Sequence, residues 1–316
     1  MINVLDNLKN SASDIKRGGW LNRMLPAVIK PYFRLARFDR PIGTWLVLFP
    51  CWWSLALATN NWAPTPDALG ETLWLYLLFG IGAIVMRGAG CTFNDITDRE
   101  FDAKVARTAD RPIPSGAVSV PQAVFFMIFL SLIGLTVLLQ LNLFAILVGV
   151  ASLFLVAIYP FMKRITNWPQ FALGLTFNWG AFLGWAAVRG DLHLSAFILY
   201  LAGICWTLGY DTIYAHQDKE DDLIVGVKSS ALKLRDKTRP WLFVFYTATV
   251  ILIAETGYLA GLSWPFYVAL VLSALQLFWQ ARDVNIDDPA DCLTKFKSNR
   301  LFCWILLTGI VLGQNF

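Results

Sequence analysis

Residues 143–162 read LFAILVGVASLFLVAIYPFM, twenty positions without a charge. That length of apolar helix matches the hydrocarbon core of a bilayer, which takes about 20 residues to cross. Working outward, comparable runs stand at 42–60, 72–93, 121–140, 169–188, 193–211, 240–260, 263–281 and 300–315, giving nine expected spans. Composition points the same way. The 316 residues are 57% hydrophobic and 15% charged, with a mean hydropathy of +0.54, whereas soluble domains carry about 25% charged residues. Soluble globular, disordered, collagen-like and coiled-coil classes are excluded. The five cysteines, at 51, 91, 205, 292 and 303, form neither a metal-ligand spacing nor a disulfide framework. The expectation is an all-α polytopic membrane protein.

Charge placement sets the topology. With the N-terminus taken as cytoplasmic and sides alternating at each span, 24 of the 26 Lys and Arg residues fall on one side. The exceptions are Arg189 on the opposite side and Arg87 inside the second span. By the positive-inside rule the N-terminus is in and the C-terminus out, with an odd number of spans. The net charge of +4 is thus a topology signal, and no nucleic-acid partner is expected. Residues 1–41 read as a cytoplasmic tail, of which 21–40 mixes apolar and basic residues and suits the bilayer surface; residues 42–316 form the membrane domain. The opening MINVLDNLKNSASDIKRGGW resembles neither a signal peptide nor an Arg-rich presequence. A bacterial inner membrane is therefore the expected location, with the chemistry facing the cytoplasm.

The two longest inner loops carry most of the acidic residues. The first contains Asn94, Asp95, Asp98 and Asp102; continued as a helix, all four fall within about 100° of one another. Unpaired carboxylates so close would raise one another's pKa, so a divalent cation explains them best. Hard oxygen donors suit Mg²⁺, which binds through one or two carboxylates and leaves positions for water and substrate phosphate. The second loop repeats the device: Asp211, Asp218 and Asp222 project within about 40°, with Tyr214 beside them. Acidic residues can simply solvate a helix end. Two such stripes at equivalent helix ends favour metal ions neutralising the charge that develops on a diphosphate leaving group.

Arg87, Arg107, Arg111, Lys163, Arg164 and Lys228 lie near these stripes and could grip phosphate oxygens or a carboxylate. Most also serve as topology charges. Arg87, about two turns inside the second span, needs an acidic partner or a polar cavity. Asn178, in mid-span, reads first as a helix–helix hydrogen bonder. His216 reads as a neighbour of the second stripe and His193 as an outer helix end. Arg37 and Arg40 in RFDRPIGTW either snorkel to the surface or turn inward to meet an aromatic carboxylate; spacing does not separate the two.

Together, NDITDREFD at 94–102, RTADRPIPSG at 107–116, YDTIYAHQDKEDD at 210–222 and RFDRPIGTWL at 37–46 resemble the UbiA-type intramembrane aromatic prenyltransferases, nearest the branch that prenylates 4-hydroxybenzoate for ubiquinone. Ala109-Asp110-Arg111 departs modestly from the Ala-Asn-Arg expected there. The resemblance implies nine helices around a central cavity open to lipid. It implies Mg²⁺ on Asn94, Asp95, Asp98 and Asp102 and on Asp218 and Asp222, holding the diphosphate of a polyprenyl donor. Asp211 and Tyr214 would stand near the 4-hydroxybenzoate acceptor, and aromatic rings would shield an allylic cation. Other aromatic acceptors within the superfamily are the nearest alternative. The CDP-alcohol phosphotransferases are disfavoured because Arg99 follows Asp98 where their signature needs Gly. A divalent-cation transporter is disfavoured because such sites lie near the bilayer midplane.

Overall fold

In the computed structural model the described residues form fourteen α-helices, the longer ones mostly apolar. It describes residues 24–59, 66–105 and 108–315, among which there is no strand. The helices are α1 (Lys30–Leu35), α2 (Ile42–Ala58), α3 (Pro66–Asp102), α4 (Val120–Leu138), α5 (Leu143–Ile158), α6 (Met162–Ile165), α7 (Pro169–Phe177), α8 (Gly180–Arg189), α9 (Leu194–Ala215), α10 (Lys219–Val225), α11 (Ser230–Leu234), α12 (Thr238–Leu259), α13 (Trp264–Asp283) and α14 (Pro289–Asn315). Seven helical stretches among the described residues, rather than nine, are long and apolar enough to cross a bilayer. The two that fall short have plain reasons: α2 has only 17 residues, and the first half of α14 carries Asp291, Lys295, Lys297 and Arg300. Large apolar side chains such as Phe125, Leu147 and Phe154 face outward, as a lipid solvent permits.

The chain divides into two units. The first comprises residues 1–43 and 82–136. Here Leu35 packs with Ile113, Val118 and Ala123, and Ala36 with Val85, Ala89 and Leu130. Small residues let these helices approach closely: a Cβ on Gly134 would strike the Met86 sulfur. Helix α1 ends in a Schellman motif, with Phe38 N–H donating to Phe33 O at 3.1 Å and Arg37 N–H to Arg34 O at 3.0 Å. The Phe33 and Phe38 rings, 5.2 Å apart, supply the apolar contact that accompanies it. Its left-handed position, normally glycine, is Arg37 with φ 59°.

The second unit comprises residues 44–81 and 137–316. Helix α2 is stitched into it through Trp53, whose indole N–H donates to Cys303 O at 3.1 Å, and through Gln314, which donates to Ala56 O at 2.8 Å. Gly184 brings α8 against the backbone of Cys51. A buried polar chain crosses four helices: Trp206 Nε1 donates to Asn299 Oδ1 at 2.8 Å, Asn299 Nδ2 to Gln280 Oε1 at 3.3 Å, and Tyr246 Oη to the same oxygen at 3.1 Å. Such networks fix register in a core that apolar packing alone leaves permissive. Asn178 stands at the break between α7 and α8 and donates to Thr207 Oγ1 at 2.8 Å, the helix–helix role its sequence position suggests. His193 caps α9, accepting from Ser195 N.

Candidate active site

In the first unit the acidic motif occupies the last turns of α3, one uninterrupted helix of 37 residues. The projection onto one face therefore holds. Asp95 and Asp98 are fully buried and Asp102 nearly so, while Asn94 is half-buried. Asp95 does not stand as a free ligand. Its Oδ1 accepts from Arg37 Nη2 at 2.8 Å and from Arg111 Nη1 at 3.3 Å, and Arg111 Nη1 also donates to Asp102 Oδ2 at 2.8 Å. Burying charge is tolerable only when it is paired in this way.

The segment after α3 is folded to deliver Arg111. Thr108 Oγ1 donates to the Asp102 carbonyl at 2.9 Å, Val118 N–H to Pro112 O at 2.9 Å, and Gly116 turns the chain at φ 76°. Arg87, half-buried, contacts the Cys91 sulfur. Its guanidinium lies over Gly43, where any Cβ would collide with it. Arg40 pairs with its neighbour Asp39 at 3.2 Å. Arg37, one of the two arginines the sequence left open, is turned onto the motif. Arg107 lies outside the described residues.

The second motif, in the other unit, departs from one continuous stripe. Helix α9 stops at Ala215, a 3₁₀ turn spans His216–Asp218, and α10 begins at Lys219, so Asp211 and Tyr214 project from one helix and Asp222 from another. The break has a local cause. His216 is buried, with Nε2 bonded to Thr238 Oγ1 at 2.9 Å, and Lys219 is drawn to Asp287 and to Ile286 O at 3.3 Å. Asp211, Tyr214, Asp218 and Asp222 are half-buried. The Tyr214 ring packs on Phe296 at 4.5 Å, and Tyr210 packs on Trp206 at 4.8 Å.

Helix α10 ends at Gly226, φ 78°. The chain then returns through Lys228, whose N–H donates to Lys163 O at 2.9 Å and whose Nζ donates to Ile165 O at 3.1 Å. Three residues the sequence reading passed over hold this segment. Thr212 bonds Ser230 between hydroxyls at 2.6 Å, and Gln170 Oε1 accepts from Ser230 N–H at 3.1 Å. Neutral polar side chains of this kind carry no motif signature; only pairing across distant helices reveals them.

Among the described residues no group of three or more His, Cys, Asp or Glu side chains converges as a closed metal site would. The candidate donors on both motifs are oxygens. That suits Mg²⁺, which keeps water and substrate phosphate among its ligands, and not a soft metal in a protein cage.

The UbiA prenyltransferase family matches residues 47–306. The chain belongs to this family. It is 48% identical over 312 residues to the mitochondrial 4-hydroxybenzoate polyprenyltransferase of Arabidopsis thaliana, covering 98% of this chain and 75% of that protein. It is 50% identical over 291 residues to the protein of the same name from Bos taurus, covering 92% and 76%. Among solved structures, a UbiA homolog from Aeropyrum pernix K1 superposes with a TM-score of 0.70 at 23% identity, over 85% of this chain and 97% of that one. One from Archaeoglobus fulgidus, bound to GPP and Mg²⁺, superposes with 0.64 at 16%, over 89% and 99%. These two establish a UbiA fold. The relatives' names also correct one expectation. Both are mitochondrial, which points to a mitochondrial membrane and overturns the bacterial inner membrane expected from the sequence. That expectation rested on the pattern of the first twenty residues, while the charge placement suits either bilayer.

Proposed function

We infer that this UbiA-family chain is a 4-hydroxybenzoate polyprenyltransferase: it transfers a polyprenyl group from a polyprenyl diphosphate to the ring carbon ortho to the phenol hydroxyl, an early membrane step of ubiquinone biosynthesis. The observation that carries it is 48% identity over 98% of the chain to a relative of that name, spanning both acidic helix ends. Residues 1–41 precede the membrane domain of 42–316. Helix α2 and the apolar second half of α14 bring the spans to nine, with the N-terminus on the side of the acidic motifs.

In this reading Asn94, Asp98 and Asp102 hold one Mg²⁺ site, and Asp218 and Asp222 hold the other. Bound Mg²⁺ supplies Lewis-acid neutralisation of the diphosphate as it leaves. Asp95, between Arg37 and Arg111, acts through them: it orients two guanidiniums whose remaining donors suit phosphate or carboxylate oxygens. Arg87, Arg107 and Lys163 add positive charge for the same anions. The allylic C–O bond breaks heterolytically, its electron pair leaving with the diphosphate. The ring carbon then supplies the electron pair of the new C–C bond, and loss of its proton restores aromaticity. Rings such as Tyr214 and Phe296 stabilise the allylic cation through their π faces, while Asp211 and Tyr214 flank the acceptor.

The test is Mg²⁺-dependent incorporation of radiolabelled 4-hydroxybenzoate into a lipid-extractable product, in membranes given a long polyprenyl diphosphate. Product that vanishes with chelator and in Asp98→Asn supports the assignment. No product from membranes shown to contain folded protein overturns it.

A further inference from the structure

The second unit carries a cavity of about 590 Å³ between α5, α7, α9 and α12, with no acidic residue in its lining. Its walls are apolar, including Leu155, Met162, Ala172 and Leu175, with Trp168 and Trp241 at one end. It opens at the outer surface: Phe171 and Trp241, 47% and 40% exposed, both border it. The interval from Trp168 to Leu175 corresponds to about two helical turns, or roughly 10 Å of depth.

The two ends of the groove differ in chemistry. At the tryptophan end, Trp168 packs against Trp241 with ring centroids 6.2 Å apart and against Phe245 at 6.2 Å, an aromatic pairing typical of the headgroup level. Met162 and Thr166, both lining residues, bracket Lys163, Arg164 and Ile165. Arg164 and Lys228 are exposed, and Lys228 is fastened to this turn by its N–H to Lys163 O at 2.9 Å and by Nζ to Ile165 O at 3.1 Å. An ammonium has three protons, so that bond leaves Lys228 with further donors. An apolar slot that ends in tryptophans and two surface cations matches an amphiphile whose chain is apolar and whose head is anionic.

We propose that this groove binds one anionic phospholipid, with an acyl chain along Leu155, Ala172 and Leu175 and its phosphate on Arg164 and Lys228. Basic pockets between membrane helices on the positive side recognise anionic headgroups in this way. At roughly fivefold per basic side chain near the surface, two give a preference of about 25-fold over a zwitterionic lipid. The lipid needs neither Mg²⁺ nor substrate, so its binding stands or falls separately from prenyl transfer.

The test incubates the purified full-length chain, in detergent, with equal amounts of phosphatidylglycerol and phosphatidylcholine of distinct mass and reads the retained adducts by native mass spectrometry. One phosphatidylglycerol retained at least tenfold over phosphatidylcholine is expected. Ala172→Phe, which fills the slot, should lose the adduct, and Arg164→Gln with Lys228→Gln should reduce the preference below about threefold. Equal retention of both lipids by the unaltered protein overturns the proposal whatever the variants do. So does an adduct unchanged in both variants, or one displaced by geranylgeranyl diphosphate without Mg²⁺, which would make the slot a seat for the prenyl tail.

Discussion

The two acidic helix ends solve the same electrostatic problem differently. On α3 the carboxylates are buried on an unbroken helix, and Asp95 and Asp102 are neutralised by guanidiniums at 2.8 to 3.3 Å. Past α9 they are half-buried and divided by a 3₁₀ turn, and the segment is held by Thr212 on Ser230 and His216 on Thr238 beside the exposed Lys219–Asp287 pair. The first end fixes its carboxylates on one helix; the second divides them between two helices joined by a 3₁₀ turn, which leaves their spacing adjustable. Fixed dipoles and charges are the more effective catalytic element because they need not reorganise. The first motif should therefore be the less forgiving.

The largest effect expected follows directly. Asp98→Asn should lower kcat/KM roughly 10³-fold, about 4 kcal/mol of transition-state stabilisation, with thermal unfolding in detergent little changed. Asp222→Asn, at the adjustable end, should lose roughly 10²-fold, or about 3 kcal/mol. Equal losses in a steady-state assay would erase the contrast between the ends.

Arg37 sharpens the comparison next. It occupies a left-handed position at φ 59°, which costs a non-glycine residue about 1–2 kcal/mol, and its side chain holds the buried Asp95. Arg37→Gly relieves the backbone strain but strips a partner from a buried carboxylate, a loss of about 3–5 kcal/mol. The net expectation is destabilisation by roughly 2–3 kcal/mol, seen as a lower melting temperature. A variant as stable as the parent would show that Arg111 alone suffices for Asp95.

Gly43 should matter less and in a different parameter. Arg87 lies over it with no room for a Cβ, so Gly43→Ala displaces the guanidinium without removing it. If Arg87 contacts an anionic substrate, KM should rise about tenfold, worth roughly 1.4 kcal/mol, with kcat within about twofold. A fall in melting temperature at unchanged KM would make the close approach structural only.

These residues also mark how much was legible in the sequence. The all-helical membrane class was readable, because hydrophobic run length is a local signal. The continuous α3 stripe was readable for the same reason. The break after Ala215 was not, since it depends on His216 meeting Thr238 across 22 positions, and a projection assumes one helical period. Nor was the turn of Arg37 onto Asp95, which depends on a backbone conformation that sequence assigns to glycine. Seven of the nine expected spans meet the length and apolarity needed on their own; α2 is short, and the run at 300–315 shares its helix with the charged turns that precede it.

The smallest effect expected lies at the edge of the second motif. Lys219 pairs with the exposed carboxylate of Asp287, and the hydrogen bond from its ammonium holds Asp287 below the usual carboxylate range. The sign follows from linkage: a carboxyl whose pKa is lowered in the folded state adds stability above its unfolded value and loses it as pH falls through the lowered one. The pair should therefore help at neutral pH, fade in acid, and weaken with added salt because it is exposed. Asp287→Asn should leave prenyl transfer within about twofold, as surface pairs contribute little, and should flatten a shallow decline in melting temperature below about pH 4, where an unperturbed Asp titrates. If the variant instead lost activity in step with Asp222→Asn, the start of α10 would be held by this ion pair and not by its neutral partners, and the adjustable end would prove to rest on charge as well.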